Sequence, residues 1–228
     1  MIDTFVALDI ETTGLSPEND RIIEIGIARY TQGTCKEKYE TFVNPGCEIS
    51  SMINQITGIN DHMVEDAPDI SKVIGKVVDF VGNGPILGHN INFDYKFIKK
   101  AALDAHIPFN TPGIDTYKIA KKILKDVKSY KLEYLCEYFN IETIHHRALA
   151  DAISAAEIFF RLQDIDNTAI KVYDMIYRPV KIQPATAKQL KYLTDLMEKN
   201  KIVYEGNIKD LTKSEASRLI DRIISGSF

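Results

Sequence analysis

Two carboxylates, Asp9 and Glu11, interrupt the run VALDIETTGLSP (residues 6–17), which otherwise has the Val, Leu and Ile content of a buried strand. Side chains alternate along a strand, so these acids share one face while Leu8 and Ile10 take the other. Carboxylates this close raise one another's pKa unless a cation lies between them, and a hard divalent ion with oxygen ligands is the simplest such cation. The pair points to Mg²⁺ or Mn²⁺, although a lone D-x-E reads more simply as the solvated face of an edge strand. Asp94, in GHNINFD, follows a predicted short strand and opens a helix, where an aspartate also has an ordinary capping role. Asp151, in HHRALADA, lies five residues beyond His146 near the start of a long helix, where an acid equally satisfies the helix dipole. His146 alone is an ordinary loop histidine; beside these acids it is a group suited to taking a proton near neutral pH.

The elements that must carry these residues follow from hydrophobic period. Residues 4 to 11, RIIEIGIARY and CKEKYETFV read as three consecutive strands, an antiparallel meander. ISSMINQITGI reads as a short helix, and ISKVIGKVVDFV places Ile70, Val73, Ile74, Val77, Val78 and Val81 on one helical stripe. PILGHN is a short buried strand opening into the helix FDYKFIKKAAL, and GIDTYKIAKKIL, KLEYLCEYF and LADAISAAEIFFRL are further helical patterns. Three strands followed by αβα units give an α/β fold with a mixed sheet. The expected organisation is a domain over residues 1–165, a linker over 166–183 punctuated by Pro179 and Pro184, and a small helical module over 184–228. That module carries two capping boxes, Thr186 with Gln189 and Thr212 with Glu215.

With 228 residues and 45% of them hydrophobic, the chain can bury a good-sized core, and disorder is not expected. Cys35, Cys47 and Cys136 are odd in number and form no CxxC pair, which argues against a disulfide framework or a thiolate zinc site and for a reducing, cytoplasmic setting. The start, MIDTFVALDIE, lacks the basic n-region and apolar run of a secretion signal, and no stretch is apolar enough for a membrane span. The net charge of −4 is uneven, with 16 basic against 23 acidic residues up to position 160 and 12 against 9 after it. An acidic main part does not advertise nucleic-acid binding by its field alone, but cations at a carboxylate cluster would neutralise much of it locally.

Three motifs in order, DIETTGL at Asp9 to Leu15, HNINFD at His89 to Asp94 and HRALAD at His146 to Asp151, make residues 3 to 163 resemble the DEDDh, or DnaQ-like, 3′ to 5′ exonucleases. That family includes polymerase proofreading subunits and RNA exonucleases. The resemblance implies an RNase H-like mixed sheet flanked by helices. It also implies a four-acid cradle of Asp9, Glu11, Asp94 and Asp151 for two divalent ions, Mg²⁺ or Mn²⁺, about 4 Å apart over the scissile phosphate. His146 would be the general base. Thr12, Thr13, Gly14 and Leu15 would meet the terminal nucleotide, Leu15 as a wedge against its base, and His89, Asn90 and Phe93 would line the strand path. Phe93 is equally well read as a core-facing helix residue.

The implied function is release of nucleoside 5′-monophosphates from a free 3′ end, DNA favoured, in single-stranded or frayed form and in proofreading or repair. The alternatives are an RNA or short-oligonucleotide exonuclease and a non-catalytic nucleic-acid-binding adaptor, which retention of all four acids and the histidine argues against. No polymerase motifs accompany these, so a proofreading role would need a separate DNA polymerase chain. Lysines 118, 121, 122, 125, 128 and 131 would either track phosphates or form a solvated face. QLKYL, from Gln189, resembles a sliding-clamp docking peptide, yet Leu190 and Leu193 at i, i+3 suit the buried face of a helix.

Overall fold

The computed structural model describes residues 2–143, 146–179, 183–204 and 206–226. The chain forms two compact units, Met1–Tyr177 and Arg178–Phe228. In the first, β1 (Phe5–Thr12), β2 (Ile22–Thr31) and β3 (Thr34–Phe42) form the expected antiparallel meander. Gln32 and Gly33 join β2 to β3, both at positive φ, as the twist of a two-residue hairpin requires. β1 also pairs in parallel with β4 (Ile86–Gly88), β4 in parallel with β5 (Pro112–Asp115), and β5 antiparallel with β6 (Tyr173–Asp174). The sheet order is β3-β2-β1-β4-β5-β6.

Helices α1 (Ser51–Thr57), α2 (Asp61–Val64), α3 (Ile70–Val81), α4 (Asn92–Asp104), α5 (Thr116–Ile123), α6 (Leu132–Phe139) and α7 (Ala148–Ile165) complete this unit. The alternation of β1 decides what covers each face of the sheet. Val6, Leu8 and Ile10, with Ile25 and Ile27 of β2, bury against Val73, Ile74 and Val77 of α3 and Phe97 and Ile98 of α4. Phe5 and Ala7, with Ala28 and Tyr30, bury against Ala152, Ala155, Ile158, Phe159 and Leu162 of α7. Asp9 and Glu11 continue this second face, so the α7 side is apolar at the start of β1 and anionic at its end.

Two elements differ from the sequence reading. The start of GIDTYKIAKKIL is not helical: Pro112–Asp115 is β5, and α5 begins only at Thr116, behind the Asp115 cap. The stretch expected to be linker from residue 166 contributes β6, and Met175 and Tyr177 pack on the first core. Gly113 allows this, since a Cβ there would lie 2.3 Å from Met175 Sδ.

The second unit pairs α8 (Ala187–Asn200) with α9 (Lys213–Ser225), and both capping boxes form. Its core is Leu193, Met197, Leu211, Ala216 and Ile223. Gln189 Nε2 donates to Lys213 O (3.1 Å) and Ser217 Oγ (3.0 Å), and Leu193 is buried. Leu193 of QLKYL is thus part of the module's core, and Gln189 is engaged in the contact between α8 and α9.

Candidate active site

The four acids and His146 are brought to one end of the sheet by three elements. Asp9 and Glu11 sit at the carboxyl end of β1. Asp94, in the first turn of α4, follows the parallel neighbour β4 and accepts the Ile10 N–H on Oδ1 at 3.1 Å. Ile10 lies between the two strand acids, so this bond ties Asp94 directly to them. Asp151, in the first turn of α7, accepts the His146 N–H on Oδ2 at 3.0 Å. Glu11, His146 and Asp151 each offer one ligand atom, and these atoms lie within 4.8 Å of one another. The positive N-terminal ends of α4 and α7 thus face the acids, partly offsetting their charge.

The offset is incomplete. Burial, and then repulsion from Asp94, Asp151, Glu11 and Glu24, holds the Asp9 carboxyl well above the usual carboxylate range. Burial, followed by Asp151 and Glu24, pushes Glu11 from 4.5 to about 7. Asp94 is also raised, by burial above all and against the pull of its backbone hydrogen bonds, with Glu11 and Asp115 adding to the rise. Such acids cannot all ionise near neutrality without a compensating positive charge. The donor set, oxygen-rich and crowded, fits a hard divalent cation.

A pH dependence follows. Between about pH 4.5 and about 7 the folded chain holds a proton on Glu11 that the unfolded chain has released, so the metal-free protein loses stability as pH rises through this window. For Glu11 alone the loss is roughly 3 kcal/mol. Divalent ions bind the deprotonated acids, so the stabilisation they add grows with pH. In chelator the melting temperature should fall from about pH 5 to about pH 8 more in the wild type than in Glu11→Gln, and the increment from Mn²⁺ should rise over the same range. An increment independent of pH would contradict this account.

The loop after β1 is tied mostly to itself. Thr12 donates its hydroxyl to Gly14 O (2.7 Å), Thr13 N–H goes to Arg21 O (2.8 Å), and Thr13 Oγ1 accepts from Arg21 N–H (2.9 Å). Asp20 accepts from Ser16 N–H at 2.8 Å, and a Cβ at Gly14 would lie 2.6 Å from the Asp20 carboxylate, so glycine is needed for the loop to close. Leu15 projects from this loop 85% exposed. The Thr13 amide and both threonine hydroxyls, in contrast, have protein partners.

His89 differs more from expectation. Its Nε2 donates to Tyr130 O (2.8 Å), and its Nδ1 lies 2.9 Å from Thr116 Oγ1. Burial holds its pKa below the ordinary histidine value. Both ring nitrogens have protein partners, so His89 braces the β4–α4 turn, and its ring also lines the cavity beside Asp9. Asn90 completes that turn at φ 66, with its N–H on Asp115 Oδ1 at 3.1 Å, and its side chain is exposed. Phe93 is half-buried, against Phe97 and the core, which favours its packing role.

A cavity of about 640 Å³ beside Asp9 is lined by His89, Asn90, Tyr117, Lys131, Leu132 and Glu133. In the sequence, the helices of Tyr117 and Glu133 read as ordinary amphipathic segments, with no signal that marks these two residues. Of the lysine run, Lys131 lines this cavity. Lys118 and Lys121 instead lie over the rings of Tyr173 and Tyr117. The sequence reading also missed Glu24 and Arg147, whose ion pair borders the acids: Arg147 Nη2 lies 2.9 Å from Glu24 Oε1.

Comparison with known proteins agrees with this arrangement. The RNase T family, described as exonuclease, matches residues 6–159. DNA polymerase III PolC-type of Caldanaerobacter subterraneus subsp. tengcongensis is 42% identical over 169 residues, 73% of this chain but 12% of that protein. The chain thus spans about an eighth of the length of such relatives. DNA polymerase III subunit epsilon of Aquifex aeolicus is 37% identical over 161 residues, 70% of this chain and 80% of the relative. Among solved structures, the nuclease domain of 3′hExo, a DEDDh family member bound to rAMP, superposes with a TM-score of 0.64 at 21% identity, over 76% of this chain and 98% of that one. The mixed six-stranded sheet is therefore of the RNase H-like kind, and the chain belongs to the RNase T/DnaQ-like DEDDh exonucleases, a family of metal-dependent phosphodiesterases.

Proposed function

We propose that this chain hydrolyses nucleic acid stepwise from a free 3′ end, with DNA the favoured substrate, releasing nucleoside 5′-monophosphates. The observation that carries the reading is the convergence of Glu11, His146 and Asp151 ligand atoms within 4.8 Å, beside Asp9 and Asp94, at the carboxyl ends of parallel strands. Asp9, Glu11, Asp94 and Asp151 would hold two divalent ions, Mg²⁺ or Mn²⁺. Bound there, the ions neutralise charge on the phosphate and leaving 3′ oxygen and make water a stronger acid. His146, exposed at the rim, accepts the proton of the attacking water. Leu15 separates the terminal base from its neighbour. The cavity beside Asp9 receives the terminal nucleotide, with Lys131 available to a phosphate oxygen.

The epsilon-subunit relative supports a proofreading or repair role beside a separate polymerase chain. The test offers purified protein 5′-labelled and 3′-labelled single-stranded DNA, mismatched duplex and RNA, with Mg²⁺, Mn²⁺ or chelator. A ladder shortening from the 3′ end, metal-dependent and faster on DNA, is expected. Faster RNA cleavage would reassign the substrate, and no cleavage under any condition would overturn the enzymatic reading in favour of an adaptor.

A further inference from the structure

We propose that Glu24 is a positioning residue: with Gly26 and Arg147 it anchors the first turn of α7 on β2 and thereby fixes His146 and Asp151 against Glu11. The inference rests on the preceding reading that those three residues carry the chemistry.

Glu24 is 1% exposed and sits in β2 among Ile22, Ile23, Ile25 and Ile27, where an ionised side chain is costly unless fully partnered. It is partnered on both oxygens. Oε1 accepts from Arg147 Nε at 3.0 Å and Nη2 at 2.9 Å, and Oε2 accepts from Ala148 N–H at 3.1 Å. The Ala148 amide belongs to the first turn of α7, whose N–H groups lack helical partners, and the α7 N-cap residue Arg147 supplies no side-chain cap. The cap comes instead from a strand 124 residues earlier in the chain. A carboxylate at this end is also favoured by the helix dipole.

Gly26 makes the approach possible. A Cβ there would lie 2.0 Å from Leu149 N and 2.2 Å from Ala148 C, so any side chain would push α7 off the sheet. Arg147 is held from a second side, its guanidinium 5.3 Å from the ring centre of Phe42, the β3 residue paired with Glu24.

The anchor matters because of what flanks it. Glu24 is the β-ladder partner of Glu11, and Gly26 that of Asp9. The strand bearing the anchor is therefore bonded in register to the strand bearing the acids. His146 immediately precedes Arg147, at φ 63, with its N–H on Asp151 Oδ2. His146, the Arg147–Ala148 step and Asp151 thus move as one piece, and Glu24 sets where that piece rests. An apolar residue would avoid the burial cost and the repulsion that Glu24 exerts on Asp9 and Glu11. Only a two-oxygen acceptor holds both the guanidinium and the amide.

The test compares wild type, Glu24→Gln, Glu24→Met and Arg147→Met in oligonucleotide hydrolysis, Mn²⁺ binding by electron paramagnetic resonance without substrate, and thermal melting. Gln keeps one acceptor for the Ala148 amide, so the expected order is wild type, Gln, then Met. Per folded molecule, kcat should fall about 10- to 100-fold in Glu24→Gln, with Mn²⁺ affinity down about 10-fold and KM for the oligonucleotide within about threefold. A merely structural role would lower the melting temperature and leave kcat and Mn²⁺ affinity of the folded fraction at wild-type values, which would overturn the proposal. If the Glu24 variants do not fold, Arg147→Met decides: its side chain is 43% exposed, and unchanged kcat and Mn²⁺ affinity there would equally overturn it. Wild-type inactivity on every oligonucleotide would instead sink the exonuclease reading, while the Mn²⁺ comparison would still judge Glu24.

Discussion

Asp9→Asn should lose phosphodiester hydrolysis by roughly 10³- to 10⁵-fold, because ion-borne stabilisation of a developing oxyanion is worth several kcal/mol and each 1.4 kcal/mol is tenfold in rate. The same variant should melt higher than wild type in chelator. Both effects arise from its place in the cluster: Asp94, Asp151, Glu11 and Glu24 all raise its pKa, on top of burial. Without ions, the folded chain must hold on Asp9 a proton that the unfolded chain releases, because of burial and of four neighbouring acids, and asparagine removes that cost. With ions, it removes one of the four carboxylates that would hold them. Asparagine keeps the volume, so the melting comparison is not confounded by a cavity. Asp9→Ala should lose the same activity with a smaller gain in stability. Wild-type turnover in either variant would overturn the mechanism. A lower melting temperature for Asp9→Asn in chelator would show that the cluster is not repulsive as folded.

Opposite signs for stability and activity at one residue are the mark of a site assembled against the preference of the fold. That mark is what made the acids legible in the sequence: Asp9 and Glu11 break an apolar strand at the strand's own period. Glu24 carries a similar signal, an acid bracketed by isoleucines, but has no acid at strand spacing beside it. Its partners Arg147 and Ala148 lie 123 and 124 residues away, where no local pattern joins them. His89 shows the converse. The motif marks it, but the use of its ring is decided by Tyr130, 41 residues on, whose carbonyl takes Nε2.

The fold divides in the same way. The meander, α3 and α7 are long enough for their periods to speak, and both capping boxes of the second unit are local chemistry that forms as written. β5 is four residues including a proline and a glycine, and β6 is two. Strands so short show no alternation; their pairing is set by β4 on one side and by Met175 settling over Gly113 on the other.

His146→Ala should lower kcat by about 10²- to 10⁴-fold, the usual contribution of a positioned general base, with KM for the oligonucleotide changed only a few-fold. Mn²⁺ affinity should stay within about threefold, because a hard ion held by carboxylates does not depend on an imidazole. This separates His146 from its neighbours Glu11 and Asp151, which share with it a possible three-ligand set within 4.8 Å. Were His146 a ligand, affinity and rate would fall together. The backbone complicates the alanine variant: His146 stands at φ 63, a left-handed conformation that costs alanine roughly 1–2 kcal/mol. Asparagine tolerates that conformation and cannot take the proton, so His146→Asn should reproduce the loss of rate while keeping the His146 N–H on Asp151. Added imidazole should restore part of the rate in the alanine variant, where the side chain leaves room, and less in the asparagine variant. A His146→Asn enzyme within about tenfold of wild type would place proton removal elsewhere, since a positioned base is worth at least about 10².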